Sequence, residues 1–164
     1  MSVETIAVGL GELKCGTRPE QVLVCYGLGS CIGLALYDAV ARVGVMVHVV
    51  LPESSLSRGQ VVQPGKFGDT AIPAAIAEAV KLGAVRSRLV ARIAGGARML
   101  NIVGAGSKLD IGSRNCDAVK SQLQEHGIRL TGDDTGGTYG RTLQLFVGTG
   151  RLLVSTVGRG EREL

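Results

Sequence analysis

Cys31 and His48 are the residues of this chain best suited to covalent chemistry. Cys31 follows the turn-forming run Gly27-Leu28-Gly29-Ser30, and His48 lies within the apolar run from Val43 to Leu51. A thiol is a poor nucleophile at neutral pH and a thiolate a strong one; an imidazole beside it can take the proton and lower the cysteine pKa. Gly27 and Gly29 permit backbone conformations closed to other residues, so amide N–H groups around Gly29 and Ser30 can face a developing oxyanion. Nucleophile, base and oxyanion donors could therefore converge on one strand entrance.

The elements that must position this pair can be read from the pattern of apolar residues. Four residues, Asp38-Ala39-Val40-Ala41, separate Tyr37 from Arg42, a common hairpin loop length. If Tyr37 faces Arg42, one face of the hairpin carries Ile32, Leu34, Leu36, Val43, Val45 and Val47, all aliphatic. The other carries Cys31, Gly33, Ala35 and Tyr37 opposite His48, Met46, Gly44 and Arg42. A slip of one residue would mix His48 and Met46 into the aliphatic face, so the pattern selects the first register. That register sets Cys31 directly across from His48, with Cβ atoms about 5 Å apart. The residues alone leave two readings level: a catalytic pair, or a small buried thiol beside a satisfied core histidine.

Further strands are expected at Thr5–Leu10, Gln21–Tyr26, Leu89–Ala94, Ile128–Leu130, Thr142–Val147 and Leu152–Val157. Asp69–Leu82 reads as a helix with Ile72, Ile76, Ala79 and Gly83 on one stripe, Pro73 being tolerable only in its first turn. A second helix runs from about Ser113 to His126, with Cys116, Val119 and Leu123 on one face and Gly127 as its stop. Many strands with two main helices imply an α/β or α+β chain, a layered sandwich of mixed or antiparallel sheet. No repeat or linker divides it, so residues 1–164 are expected to form one domain with its core at about 5–158.

Composition narrows the function classes. The chain has 164 residues, 45% of them hydrophobic and 20% charged, which excludes intrinsic disorder. Its net charge of +4 is spread along the chain and its aromatic content is only 3%, so no nucleic-acid partner is expected. The longest apolar run is about half a bilayer span, so no membrane insertion is expected, and the start of the chain lacks the basic region of a secretory signal. A cytoplasmic protein is the expectation. Cys15, Cys25, Cys31 and Cys116 form no CxxC, and with His48 and His126 they give no zinc spacing; neither metal nor organic cofactor is expected.

Several other signals carry no chemistry. Gly27-Leu28-Gly29 begins a dinucleotide fingerprint, but Ile32 stands where its third glycine belongs and a strand follows. Asp134-Thr135-Gly136 matches the aspartic-protease tripeptide, yet the preceding Thr131-Gly132-Asp133 is not an apolar strand, and a turn is the better reading. Cys15 and Cys116 read as packing residues and His126 as a complement to a helix C-terminus. The tail Arg159–Leu164 reads as solvated and frayed.

Gly27-Leu28-Gly29-Ser30-Cys31 and Met46-Val47-His48-Val49-Val50-Leu51-Pro52 together resemble the chemoreceptor glutamine deamidase family, CheD. The resemblance continues in order through Lys66-Phe67-Gly68-Asp69-Thr70-Ala71, Ala91-Arg92-Ile93-Ala94-Gly95-Gly96-Ala97, Ile111-Gly112-Ser113-Arg114-Asn115 and Asp133-Asp134-Thr135-Gly136-Gly137. It implies a cysteine hydrolase, similar in chemistry to papain-type enzymes, that converts glutamine side chains of methyl-accepting chemotaxis receptors to glutamate. The family's nucleophile falls on Cys31 and its base on His48, with backbone near Gly29 and Ser30 for the oxyanion. The receptors' helical cytoplasmic region is the implied partner, and in some bacteria a CheC-type phosphatase is another. The family's third member, a threonine, falls on Cys25. A thiol is a weaker hydrogen-bonding group than a hydroxyl, so either the imidazole is oriented from elsewhere or activity is reduced. Cys25 and Cys31 could also form a reversible disulfide, though packing within a strand is the better reading of Cys25. Two rivals follow: a catalytically weak CheD-like module that regulates a CheC-type phosphatase or receptors, and a cysteine hydrolase of another amide or ester.

Overall fold

Residues 2–59, 63–99 and 110–164 are described in the computed structural model of the chain. Their strands are β1 (Glu4–Ala7), β2 (Leu13–Gly16), β3 (Gln21–Leu28), β4 (Ile32–Asp38), β5 (Val43–Val49), β6 (Val90–Gly95), β7 (Arg129–Thr135), β8 (Arg141–Phe146), β9 (Leu152–Thr156) and β10 (Gly160–Glu163). Two α-helices, α1 (Gly68–Lys81) and α2 (Ile111–Glu125), are set between them. The strands form two five-stranded sheets, one ordered β1-β3-β8-β9-β10 and the other β2-β5-β4-β6-β7. Pairs β1–β3 and β6–β7 are parallel and the remaining pairs antiparallel, so both sheets are mixed.

The layers follow from two apolar faces on the same strands. β4 and β5 are buried throughout, as strands covered on both sides must be. Their aliphatic face, Ile32, Leu34, Leu36, Val43, Val45 and Val47, packs under Ile72, Ile76 and Ala79 of α1 and Val119 and Leu123 of α2. Their other face, with Ala35, Tyr37 and Met46, packs on Leu23, Cys25, Leu143 and Leu145 of the first sheet. The order is therefore helices, second sheet, first sheet, an α+β layered fold. No helix among the described residues is long and apolar enough to cross a membrane.

Several expectations need correction. The β4–β5 hairpin keeps its two faces, but its register closes one residue later on each strand, at Asp38↔Val43, so Gly33 and not Cys31 is the partner of His48. Asp38 explains the difference. Its carboxylate accepts from the N–H groups of Val40 and Ala41 at 2.9 and 3.1 Å, from Val85 N–H at 2.8 Å and from Arg88 Nε at 3.0 Å. A residue committed to those four donors ends the strand instead of entering the loop, and Arg42 takes the left-handed turn position with φ 55°. Pro73 lies in the second turn of α1, on the exposed side, where the carbonyl it leaves unbonded can face water. Gly83 falls just beyond that helix and is exposed. Of Asp134-Thr135-Gly136, expected as a turn, Asp134 and Thr135 belong to the end of β7 and only Gly136, with φ 89°, lies beyond the strand. The tail is solvated but not frayed, because β10 pairs with β9 from Gly160↔Thr156 to Glu163↔Leu153. β2, a short edge strand with no fully buried side chain, is paired with β5 where turn material was expected.

Candidate active site

A bulge in β3 prepares the turn before Cys31. Pairing of β3 with β8 runs to Cys25↔Leu143 and resumes at Leu28↔Arg141, so Tyr26 and Gly27 together oppose Thr142. Gly27 takes φ 59° with open space where a side chain would be, so the backbone conformation, not crowding, calls for glycine. The bulge leaves Tyr26 exposed and returns Leu28 to full burial. The chain then crosses from the first sheet to the second through Gly29, Ser30 and Cys31.

Three consecutive carbonyls fix that crossing. Gly29 O accepts from Ala97 N–H at 2.9 Å, Ser30 O from Asn115 Nδ2 at 2.9 Å, and Cys31 O from Gly96 N–H at 2.9 Å. Gly95 has φ 111°, and a Cβ there would collide with the Cys31 carbonyl oxygen. The end of β6 thus lies backbone to backbone against the cysteine. Among the described residues, the N–H groups of Ser30 and Cys31 meet no backbone acceptor.

His48 is buried, with 4% of its surface exposed. Its Nδ1 lies 3.0 Å from the carbonyl oxygen of Val8. A carbonyl can only accept, so the neutral ring carries its proton on Nδ1 and its lone pair on Nε2. Among the described residues, the buried Nε2 has no hydrogen-bond partner. Val8 is held in turn by its N–H to Val24 O at 2.8 Å, one residue before Cys25.

Cys25, Cys31 and His48 come together around Gly33. Gly33 pairs with His48 on one side and with Ala94 on the other. A Cβ at Gly33 would lie 3.7 Å from Cys25 Cβ in the facing sheet. Cys31 precedes Gly33 by two residues and packs against the same inter-sheet cluster as Cys25. Cys31 and His48 are therefore diagonal neighbours on one face, a relation that puts Cβ atoms roughly 6–8 Å apart instead of directly opposite. An imidazole and a thiol can bridge much of that gap.

Burial sets the resting charge state. It pushes the half-buried Cys31 thiol up from its ordinary value, not down as a preformed ion pair with His48 would. Cys25, fully buried, is pushed up strongly by burial and further by the charge that Cys31 would carry. Both cysteines rest as thiols. Beside the Cys31 turn, a groove of about 230 Å³ is lined by Ser30, Val50, Leu51, Ala97, Met99 and Ile111, with Arg98 and Asp110 also bordering it.

Two contributors escaped the sequence reading. Val8 acts through its main-chain carbonyl, which no residue type announces. Asn115 belongs to the Ile111–Asn115 motif, which assigns it no role; its carboxamide meets both Ser30 O and Val50 O at 2.9 Å. His126, expected at a helix end, caps α2, and Cys116 is half-buried against the helix-side core.

Comparison with known proteins identifies the family of the chain. The family model described as CheD chemotactic sensory transduction matches residues 50–156. A probable chemoreceptor glutamine deamidase CheD of Symbiobacterium thermophilum is 66% identical over 158 residues, covering 96% of each chain. A protein of the same name from Syntrophomonas wolfei is 48% identical over 157 residues, again covering 96% of each. Another from Clostridium botulinum is 42% identical over 164 residues and covers all of both. Matches of this extent and identity place the chain in the CheD family.

Proposed function

We propose that this protein is a cytoplasmic glutamine deamidase that converts glutamine side chains in the helical cytoplasmic region of methyl-accepting chemotaxis receptors to glutamate. The observation that carries the reading is the state of His48: Nδ1 donates to Val8 O, and the buried Nε2 lone pair, on the face shared with Cys31, has no partner among the described residues. The names of the similar proteins support the substrate class.

In this mechanism Nε2 takes the thiol proton as Cys31 Sγ attacks the glutamine side-chain carbonyl carbon. Because burial favours the neutral thiol, the proton moves with the attack instead of ahead of it. The N–H groups of Ser30 and Cys31 stabilise the oxyanion. His48 returns the proton to the nitrogen, the C–N bond breaks, and ammonia leaves a thioester on Cys31. Water then attacks that carbon, giving its proton to Nε2. The C–S bond breaks, and the proton returns to sulfur as the glutamate side chain is released. The Val8 carbonyl orients the ring in the role that the resemblance gives to the Cys25 position, and Cys25 serves as packing. A CheC-type phosphatase is a further partner of this reading. No metal or organic cofactor takes part.

Mass spectrometry of a chemoreceptor cytoplasmic fragment tests the proposal. Incubation with the wild type should add about one dalton at defined glutamines, as an amide becomes an acid, and Cys31→Ala should abolish the gain. Binding of several receptor fragments without any gain in mass would overturn the proposal in favour of a regulatory module.

A further inference from the structure

We infer that Asn115 is a positioning residue whose carboxamide locks the Cys31 turn to the strand that carries His48. This rests on the deamidase reading above. Asn115 is fully buried in α2, and its Nδ2 donates both to Ser30 O and to Val50 O, each at 2.9 Å. Both partners are carbonyls, so only the amide nitrogen can face them, and the side chain has one orientation.

The place of this bridge is informative. Paired strands β4 and β5 end at Ile32↔Val49. The next pair in that register would be Cys31 and Val50, where the chains part. Asn115 spans the opening, one hydrogen bond to the peptide that enters Cys31 and one to the peptide that leaves Val50, two residues beyond His48. The neighbouring carbonyls, Gly29 O and Cys31 O, are held by the backbone N–H groups of Ala97 and Gly96 and depend on no side chain. The Ser30 carbonyl alone depends on a single side chain. The Ser30–Cys31 peptide bears the Cys31 N–H, so a rotation there withdraws an oxyanion donor and re-aims the thiol.

Packing does not account for a carboxamide here. Among the described residues its buried Oδ1 has no hydrogen-bond partner, a cost that an apolar side chain of similar size would avoid. Asp at this position would set an acceptor against two carbonyls, and Ser could donate to only one of them.

Deamidation kinetics and the pH dependence of Cys31 alkylation in Asn115→Ala, Asn115→Ser and Leu34→Ala test the inference, with melting temperatures measured alongside. Leu34 is fully buried on the helix side of β4, away from the face of Cys31, and serves as the stability control. Asn115→Ala should lower kcat by about a hundredfold with KM little changed and should shift the alkylation profile. Asn115→Ser should recover part of the loss. Leu34→Ala should lower the melting temperature but keep the wild-type kcat and profile below it. A kcat in Asn115→Ala within twofold of wild type, or a loss that only tracks melting temperature as in Leu34→Ala, would overturn the inference while Cys31→Ala stays inactive. Deamidation surviving in Cys31→Ala would overturn the underlying reading, and this inference with it.

Discussion

A histidine that donates through Nδ1 to a main-chain carbonyl has its tautomer set without help from another side chain. That geometry bears on Cys25, which stands where the resemblance expects a threonine. If Val8 O orients the ring, Cys25→Ala should keep kcat within a few-fold of wild type, since its role is to fill space against Gly33 and Leu143. A loss of a hundredfold or more would return the orienting role to position 25. Burial raises the Cys31 thiol above its ordinary value, so in the free protein its alkylation should climb mainly above the usual thiol range of about pH 8.5. His48→Ala removes the proton acceptor and should lower the neutral-pH rate about tenfold further. A profile that is unchanged in His48→Ala would mean that the two side chains are not coupled.

At the scale of elements, the β4–β5 hairpin positions the pair, and Asp38 sets its register. Burial alone would raise the Asp38 pKa. The Arg88 guanidinium and the N–H groups of Val85, Ala41 and Val40 outweigh it and hold the carboxyl well below the usual range. Since the folded-state value is depressed, the stabilisation is fully present above the unfolded carboxyl pKa of about 4 and is lost as pH falls below it. Asp38→Asn should therefore cost about 2 kcal/mol at neutral pH and flatten the acid limb of a plot of stability against pH. Equal acid sensitivity in wild type and variant would contradict this role. The same residue shows where the sequence was legible and where it was not. Alternation of apolar residues separated the two faces of the hairpin correctly, because a two-residue change of register leaves faces intact. It could not choose between registers that differ by two, a choice made by hydrogen bonds from Val85 and Arg88, far away in the chain. β10 was illegible for a related reason: its residues are exposed, and only main-chain pairing with β9 defines it. The gathering of Cys31 and His48 on one face was readable, whereas Val8, a carbonyl from β1's end, was not.

At the scale of the whole molecule, two apolar layers have different duties. The layer between helices and sheet holds the fold, and the layer between the sheets also holds Cys25, Cys31 and the neighbours of His48. Leu34→Ala in the first and Leu143→Ala in the second should each cost about 2–5 kcal/mol. Leu143 is the strand partner of Cys25 and abuts Gly33, so its truncation should also lower kcat several-fold at temperatures where both variants are folded. Leu34→Ala should leave kcat near wild type. Equal kcat in the two would show that the site is insensitive to inter-sheet packing. The most direct test of the account as a whole is intact-mass analysis of the protein acid-quenched during turnover of a glutamine-containing receptor fragment, followed by mapping of any adduct. The expected result is a thioester adduct on Cys31, absent in both Cys31→Ala and His48→Ala. Glutamate formation that continues in Cys31→Ala, or an adduct mapped to another residue, would contradict it.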